Sequence, residues 1–225
     1  MTAVFITSTG TDIGKTFVAR GLIHCLRGQN RAVEALKPVV SGFDENAVAG
    51  SDPGLLLAAL GRPATRENIT RISPWRFAAP LSPHIAARRE GRAIDFSALV
   101  AFSRRAVETS AGSLLIEGAG GIMTPLDERH TVLDWMTELR LPLILVTGSY
   151  LGTISHTLTA LDALARRALK VTAVAVNETA DSAVPLDETT DTIAQFAPTL
   201  DVIAIPRLPA ARPDHPAFAR IADKL

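Results

Sequence analysis

Short segments rich in Val, Ile and Leu alternate along the chain with longer segments whose apolar residues recur at helical spacing. The short apolar segments are residues 4–7, 33–36, 113–116, 143–147, 171–176 and 202–205. The helical segments are residues 16–27, 96–108, 154–168 and 186–196. Continuous apolar runs are typical of strands buried on both faces, and strands that alternate with helices form parallel sheets. The pattern predicts an α/β fold with a mostly parallel sheet and helices on both faces.

Two stretches interrupt this alternation. Residues 43–83 contain several glycines and prolines and have only one clear helical patch, at residues 53–60. We expect this stretch to cross the carboxyl edge of the sheet, where open α/β sheets bind ligands. Residues 206–225 are rich in Pro, Ala and Arg. This composition predicts a loop followed by a short terminal helix.

The length and charge balance of the chain narrow the class of protein. A chain of 225 residues is long enough for one well-buried domain, which we predict over residues 1–225. Lys plus Arg and Asp plus Glu both total 23, so zero net charge gives no general attraction to nucleic acid or anionic membranes. No apolar stretch reaches the roughly 20 residues of a membrane helix, and no leader segment opens the chain. We expect no nucleic-acid or membrane partner and a cytoplasmic location.

The single cysteine, Cys25, excludes an internal disulfide framework. Val18, Leu22 and Cys25 fall on one face of the first helical segment, and no activating base is recognisable nearby. We therefore predict that Cys25 packs in the core and is not a nucleophile.

A glycine-rich loop joins the first apolar segment to the first helical one, with the sequence STGTDIGKT over residues 8–16. In a phosphate loop of this kind, backbone amides point at an anion, Lys15 neutralises the outer phosphates and the Thr16 hydroxyl can ligate Mg²⁺. The formal pattern is not met, because Thr9 stands where a glycine is expected five positions before Gly14. The alternative is an ordinary strand-to-helix turn with a surface lysine. The flanking strand and helix favour a phosphate-loop NTPase-like sheet.

Charged residues follow two other predicted strands. Glu117 comes directly after residues 113–116 and is followed by glycines, which let the backbone approach a ligand closely. Lys37 comes directly after residues 33–36 and could place a second cation near the phosphate loop. Asp52 could ligate a metal ion or serve as the N-cap of a helix that begins at Pro53. A capping role for Glu117 and a solvent-facing Lys37 are the alternatives.

Taken together, these motifs resemble the dethiobiotin synthetase family in order and spacing, from Phe5 to about Pro206. Besides the phosphate loop, the matching blocks are residues 37–42, 77–84, 117–121 with 124–126, 151–154 with His156, and Asn177. The resemblance implies that 7,8-diaminononanoate, CO2 and ATP are the substrates. A carbamate forms on one amine and is phosphorylated, and ring closure gives dethiobiotin, ADP and phosphate. It also implies Mg²⁺ as cofactor and a homodimer.

The resemblance implies roles for individual residues as well. Lys37, Lys15 and Thr11 are the implied catalytic residues, and Lys37 acts on the carbamate together with Thr11 and Ser41. Leu151, Gly152 and Ser155 open a helix that, in the family, receives the substrate carboxylate across the dimer interface, and a helix N-terminus suits an anion. The implied Mg²⁺ ligands are Thr16, Asp52 and Glu117. Among the implied nucleotide-binding residues, Asn177 recognises adenine. The full set is Asp12, Ile13, Gly14, Lys15, Thr16, Phe17, Asp52, Glu117, Gly118, Ala119, Gly120, Asn177, Glu178, Pro206, Arg207 and Leu208.

Some positions depart from the family pattern, and two other functions are compatible with the motifs. Ser8 and Gly10 replace the usual loop glycine and aspartate, Ser155 replaces an asparagine, and Tyr150 has no assigned role. A partitioning-type or regulatory ATPase is one alternative, but such proteins carry an additional early loop lysine, and the loop before Lys15 has none. The nucleotide domain of a larger amidotransferase is the other, and 225 residues leave no room for a second catalytic domain.

Overall fold

The computed structural model describes residues 2–208 and 215–225, and its centre is a parallel sheet of six strands. The strands are β1 (Ala3–Ser8), β2 (Val33–Leu36), β3 (Val39–Ser41), β4 (Trp75–Phe77), β5 (Ser113–Glu117), β6 (Leu143–Gly148), β7 (Val171–Asn177) and β8 (Asp201–Ile205). The strand order of the sheet is β2-β5-β1-β6-β7-β8, and β3 and β4 form a separate parallel pair. All six predicted strands are confirmed.

Helices cover both faces of the sheet. Every residue of β5 and β6 is buried, and since successive side chains of a strand point to opposite faces, both faces are covered. The helices are α1 (Lys15–Gly28), α2 (Asp52–Ala59), α3 (Arg66–Ile72), α4 (Pro83–Arg89), α5 (Phe96–Thr109), α6 (Val132–Leu139), α7 (Thr153–Arg166), α8 (Leu186–Phe196) and α9 (Pro216–Ala222). The four predicted helical segments are confirmed as α1, α5, α7 and α8, so the predicted fold class is correct. No helix within the described residues has the length and apolar character needed to cross a membrane.

The stretch between residues 43 and 83 has more regular structure than the sequence predicts. The expectation of a single helical patch is wrong, because α3 and β4 lie there in addition to α2. Helix α3 has seven residues, too few for a clear apolar period, and it begins where the Thr65 side chain accepts a hydrogen bond from the Asn68 N–H. Near the end of the chain, α9 confirms the predicted terminal helix, whereas residues 209–214 of the predicted loop lie outside the described residues.

The strand order brings several loops together at the carboxyl edge of the sheet. Strand β1 lies between β5 and β6 in the sheet. From β1 the chain runs to β2 at one edge, whereas from β5 it runs past β1 in the opposite direction to β6. Ligands bind at such a reversal point in open α/β sheets. The register pairs Ile6 with Glu117 and Leu36 with Ile116, which places Lys37 level with Glu117. Both charged residues therefore emerge beside the loop that follows β1.

Cys25 is half-buried in α1 and packs against the main hydrophobic core, as predicted. Burial raises the pKa of its thiol above the usual value, which disfavours the reactive thiolate. Cys25 is therefore a packing residue.

Candidate active site

The loop between β1 and α1 enters the helix through a glycine in the left-handed conformation. Gly14 precedes α1 with φ of 95°, a conformation that L side chains rarely adopt. A Cβ atom at this position would lie 2.4 Å from Asn177 Nδ2. Asn177 holds the loop directly, because its Nδ2 donates a hydrogen bond to the Ile13 carbonyl at 2.8 Å. Only glycine fits between this amide and the start of the helix.

Lys15 is buried inside the loop and not extended into solvent. Its Nζ donates hydrogen bonds to Ser8 Oγ at 3.0 Å and to the Gly10 carbonyl at 3.3 Å. Burial, and then the nearby charge of Lys37, lower the pKa of Lys15 to about 8. Ser8 Oγ also lies 3.0 Å from the Gly120 carbonyl, so it joins the phosphate loop to the loop after β5. The alternative of a turn with a surface lysine is therefore wrong.

Beside the phosphate loop, Lys37 bridges two carboxylates. Its Nζ is 2.5 Å from Glu117 Oε1 and 2.9 Å from Asp52 Oδ2, and it also donates to the Gly118 carbonyl at 3.1 Å. Lys37 and Glu117 are almost fully buried, whereas Asp52 is half-buried. Burial lowers the pKa of Lys37, but Glu117 and Asp52 outweigh it and raise the pKa above the usual value. Burial raises the pKa of Asp52, but the charge of Lys37 outweighs this effect, so the pKa lies below its usual value.

The expectation that Asp52 caps α2 is wrong. Ser51 is the N-cap, because its side chain accepts a hydrogen bond from the Gly54 N–H, and Asp52 is the first helical residue. A serine in the cap position leaves the Asp52 carboxylate free to pair with Lys37. The alternatives of a capping Glu117 and a solvent-facing Lys37 also fail, since both side chains are buried in one cluster.

This cluster has the ligand chemistry of a Mg²⁺ site. The Thr16 hydroxyl donates to Glu117 Oε1 at 2.7 Å, so two carboxylates and one hydroxyl converge. Glu117 Oε2 is buried and has no hydrogen-bond partner among residues 2–208 and 215–225. The described residues contain no group of three or more His, Cys, Asp and Glu that could hold a metal. Two carboxylates and a hydroxyl suit Mg²⁺, which keeps several waters and takes further oxygens from phosphates.

A cavity of about 940 Å³ extends from the phosphate loop across the carboxyl ends of β7 and β8. Its volume lies in the range of small-ligand pockets, about 300–1,000 Å³. Glu178 fixes one wall, because its Oε2 accepts a hydrogen bond from the Arg207 N–H at 2.7 Å. Asn177 Oδ1 is buried beside this cavity and has no hydrogen-bond partner in the described part of the chain. The predicted residues that line the cavity are Thr11, Asp12, Ile13, Gly14, Phe17, Asn177, Glu178, Pro206, Arg207 and Leu208.

The structure thus brings most of the predicted site residues into two adjoining groups, the cavity wall and the lysine–carboxylate cluster. Ala119 is buried in the loop after β5, and Gly120 meets Ser8 there. Within the described residues, none of the implied substrate residues forms a hydrogen bond with the cluster. Ser41 ends β3, Leu151 is 89% exposed, Gly152 is the N-cap of α7 and Ser155 is exposed on its first turn.

Some cavity residues were not predicted. Tyr150 lines the cavity, and its hydroxyl is 3.0 Å from His156 Nδ1. Thr179 and Ala180 line it as well. The signal for these residues was available, since they follow β6 and β7 at the edge where ligands bind.

Comparison with known proteins identifies the family. The family model described as "AAA domain" matches residues 2–214. The ATP-dependent dethiobiotin synthetase BioD of Acidiphilium cryptum (strain JF-5) is 49% identical over 178 residues, which cover 79% of this chain and 80% of the relative. The protein of the same name from Caulobacter sp. (strain K31) is 50% identical over 183 residues, covering 81% and 78%.

Solved structures of other proteins share the fold at low sequence identity. The MinC:MinD cell division protein complex of Aquifex aeolicus matches with a TM-score of 0.60 and 12% identity, covering 100% of this chain and 94% of that one. A ParA family ATPase from Chlorobium tepidum TLS matches with a TM-score of 0.55 and 16% identity, covering 92% and 84%. These similarities show the fold alone, so the partitioning-type ATPase is not favoured. At nearly 50% identity over four fifths of its length, by contrast, the chain belongs to the family of ATP-dependent dethiobiotin synthetases.

Proposed function

We propose that this protein converts 7,8-diaminononanoate, CO2 and ATP to dethiobiotin, ADP and phosphate, with Mg²⁺ as cofactor. We further propose that residues 1–225 act as one domain, and that the protein works as a cytoplasmic homodimer. The observation that carries the proposal is the cluster of Lys37, Asp52 and Glu117 beside the phosphate loop. It places a buried cation and two metal-binding carboxylates next to each other, which suits phosphoryl transfer to an anionic acceptor.

The reaction has three steps. One amine of the diamine adds to CO2 and loses a proton to give a carbamate. A carbamate oxygen attacks the γ-phosphorus of ATP, and ADP leaves. The second amine then attacks the carbamoyl carbon, the ring closes, and phosphate leaves as this amine loses a proton.

The residues of this chain contribute mainly charge and position. Lys15 and the amides of residues 12–17 hold the phosphates, while Lys37, with Thr11 and Ser41, stabilises the carbamate and the transferring phosphoryl group. Thr16, Asp52 and Glu117 would hold Mg²⁺, which neutralises charge on the phosphates when bound. Such electrostatic stabilisation contributes most of the catalysis expected of phosphoryl transfer.

In this proposal the nucleotide binds along the 940 Å³ cavity, and its adenine meets Asn177. Glu178 and residues 206–208 form the neighbouring wall, and residues 118–120 approach the phosphates from the loop after β5. The buried Oδ1 of Asn177, free of a partner in the described residues, can accept a hydrogen bond from an exocyclic amine.

The substrate carboxylate is assigned to the N-terminus of α7 on the neighbouring subunit. Leu151, Gly152 and Ser155 are exposed there, and the first turn of a helix offers unpaired N–H groups and partial positive charge. Replacing Ser155 with Asp should raise the Michaelis constant for the diamine and leave that for ATP nearly unchanged. Ser97→Asp is the matched control, since Ser97 is exposed on the first turn of α5.

The decisive experiment supplies the purified protein with the diamine, bicarbonate, Mg²⁺ and ATP and detects dethiobiotin by mass spectrometry. Phosphate release should require Mg²⁺ and rise strongly on adding the diamine with bicarbonate. Vigorous ATP hydrolysis that the diamine does not change would instead support a switch ATPase. Sedimentation paired with activity tests the dimer, because a fully active monomer would contradict the shared site.

A further inference from the structure

A cluster of four threonine hydroxyls joins the phosphate loop to α7. Thr147, in β6, lies at its centre and is fully buried. Its Oγ1 is 3.0 Å from Thr9 Oγ1, 2.8 Å from Thr153 Oγ1 and 2.9 Å from Thr157 Oγ1. Thr9 belongs to the phosphate loop, whereas Thr153 and Thr157 lie on the first two turns of α7. One hydroxyl therefore connects three elements.

The direction of each hydrogen bond follows from the number of protons. The Thr153 hydroxyl donates its only proton to the Gly148 carbonyl at 2.6 Å, so it accepts a bond from Thr147. Thr147, having donated its own proton, accepts from Thr9 and from Thr157. With one donated and two accepted bonds, the Thr147 hydroxyl uses its full capacity. Removing it would leave two donors and one acceptor of the cluster without their partner.

The loops that this cluster joins both line the cavity. Gly10, which follows Thr9, lines the cavity. Tyr150, three residues after Thr147, lines it as well. The two loops pack closely, since a Cβ atom on Gly148 would lie 3.0 Å from Cγ2 of Ile13 in the phosphate loop. A small displacement of either loop therefore changes the cavity.

We propose that Thr147 is a positioning residue for the reaction. Its hydroxyl fixes the phosphate loop, through Thr9, relative to the start of α7, through Thr153 and Thr157. The inference rests on the proposed function in one respect, because that function assigns ATP to the phosphate loop of this subunit and the carboxylate of the neighbouring subunit's substrate to this subunit's α7. Thr147 therefore sets the position of the ATP-binding element of one active site relative to the carboxylate-binding element of the other. It acts through its neighbours and contacts neither the phosphate-loop lysine nor the carboxylate cluster within the described residues.

The test compares three single variants by steady-state kinetics and ATP binding. Thr147→Val keeps the shape of the side chain and removes the hydroxyl, and it should lower kcat/KM for the diamine by about ten- to a hundredfold, as expected for misplaced binding elements. Thr147→Ser keeps the hydroxyl and should restore kcat/KM to near the wild-type value. Thr189→Val is the matched control, because Thr189 is fully buried in α8 and its hydroxyl bonds only to the Pro185 carbonyl in the described residues. This control should lose stability but keep kcat/KM.

A double variant shows whether Thr147 acts through the phosphate loop. If it does, Thr9→Val should weaken ATP binding, and adding Thr147→Val to it should weaken binding by less than the product of the two separate effects. Thr9→Val alone keeps the test valid should Thr147→Val fail to fold. Unchanged kcat/KM and ATP affinity in folded Thr147→Val, or an equal loss in Thr189→Val, would overturn the proposal. Absence of dethiobiotin with the wild-type protein would refute the proposed function, while the ATP dissociation constants would still test the role of Thr147.

Discussion

Removing the charge of Lys37 tests the electrostatic balance of the site most directly. At an effective dielectric constant of about 20, an ion pair at 2.5–2.9 Å contributes on the order of 6 kcal/mol of attraction. Lys37 makes two such pairs, which offset the several kcal/mol that burying each ion costs. In Lys37→Ala, Glu117 would keep a buried charge whose one remaining side-chain hydrogen bond in the described residues comes from the Thr16 hydroxyl. We expect the free energy of unfolding to fall by about 3–5 kcal/mol.

The same variant separates the roles of the two lysines. If Lys37 acts on the transferring group, Lys37→Ala should lower turnover by about two to three orders of magnitude and largely keep ATP binding. Lys15→Ala should weaken ATP binding as well, because the Lys15 Nζ lies inside the phosphate loop. Lys170→Ala is the control, since Lys170 is exposed away from both lysines.

Urea denaturation of Lys37→Ala, with and without Mg²⁺, measures the change in the free energy of unfolding. Phosphate release at saturating substrates measures turnover. Mg²⁺ should recover part of the lost stability, because a divalent cation can neutralise the same two carboxylates. A loss of stability below about 1 kcal/mol would refute the charge-balance argument, since that value is typical of exposed pairs. Near-normal turnover would refute the catalytic role.

Three further changes test other parts of the site and fold. Ser73→Ala removes the buried hydroxyl that donates to the Lys37 carbonyl, and kinetics should show a lower kcat with an unchanged ATP dissociation constant. Gly14→Ala should greatly weaken ATP binding measured by calorimetry, whereas Gly28→Ala, where a Cβ meets nothing within 4 Å, should not. Burial raises the pKa of Asp134, but hydrogen bonds from the backbone and hydroxyl of Thr131, the N-cap of α6, outweigh this effect and lower the pKa. The Asp134 carboxylate therefore stabilises the fold above its unfolded-state pKa, and this stabilisation is lost as the pH falls through its folded-state pKa. Asp134→Asn should therefore cost about 0.5–2 kcal/mol in urea denaturation at neutral pH, and the difference should shrink under acid conditions.

The sequence was most informative where one physical requirement decides the residue type. The strands are recognisable because burial on both faces demands continuous apolar runs. Lys37 and Glu117 are recognisable as candidates because they follow such strands at the edge of the sheet where ligands bind. Their mutual pairing could not be predicted, since it depends on the register of β2 against β5. Asp52 remained ambiguous for another reason: Ser51 and Asp52 both cap helices well, and only the folded chain decides between them.

Two of the residues that depart from the usual phosphate loop also join this loop to its neighbours. Ser8 stands in place of a glycine, and its hydroxyl contacts the Gly120 carbonyl and accepts a bond from Lys15. Thr9 also stands where a glycine is expected, and its hydroxyl reaches Thr147. Glycine would leave both positions more mobile, and ordering them would then cost free energy when a ligand binds. We therefore expect the hydroxyl contacts to order the loop before ATP binds, so that more of the contact energy contributes to affinity.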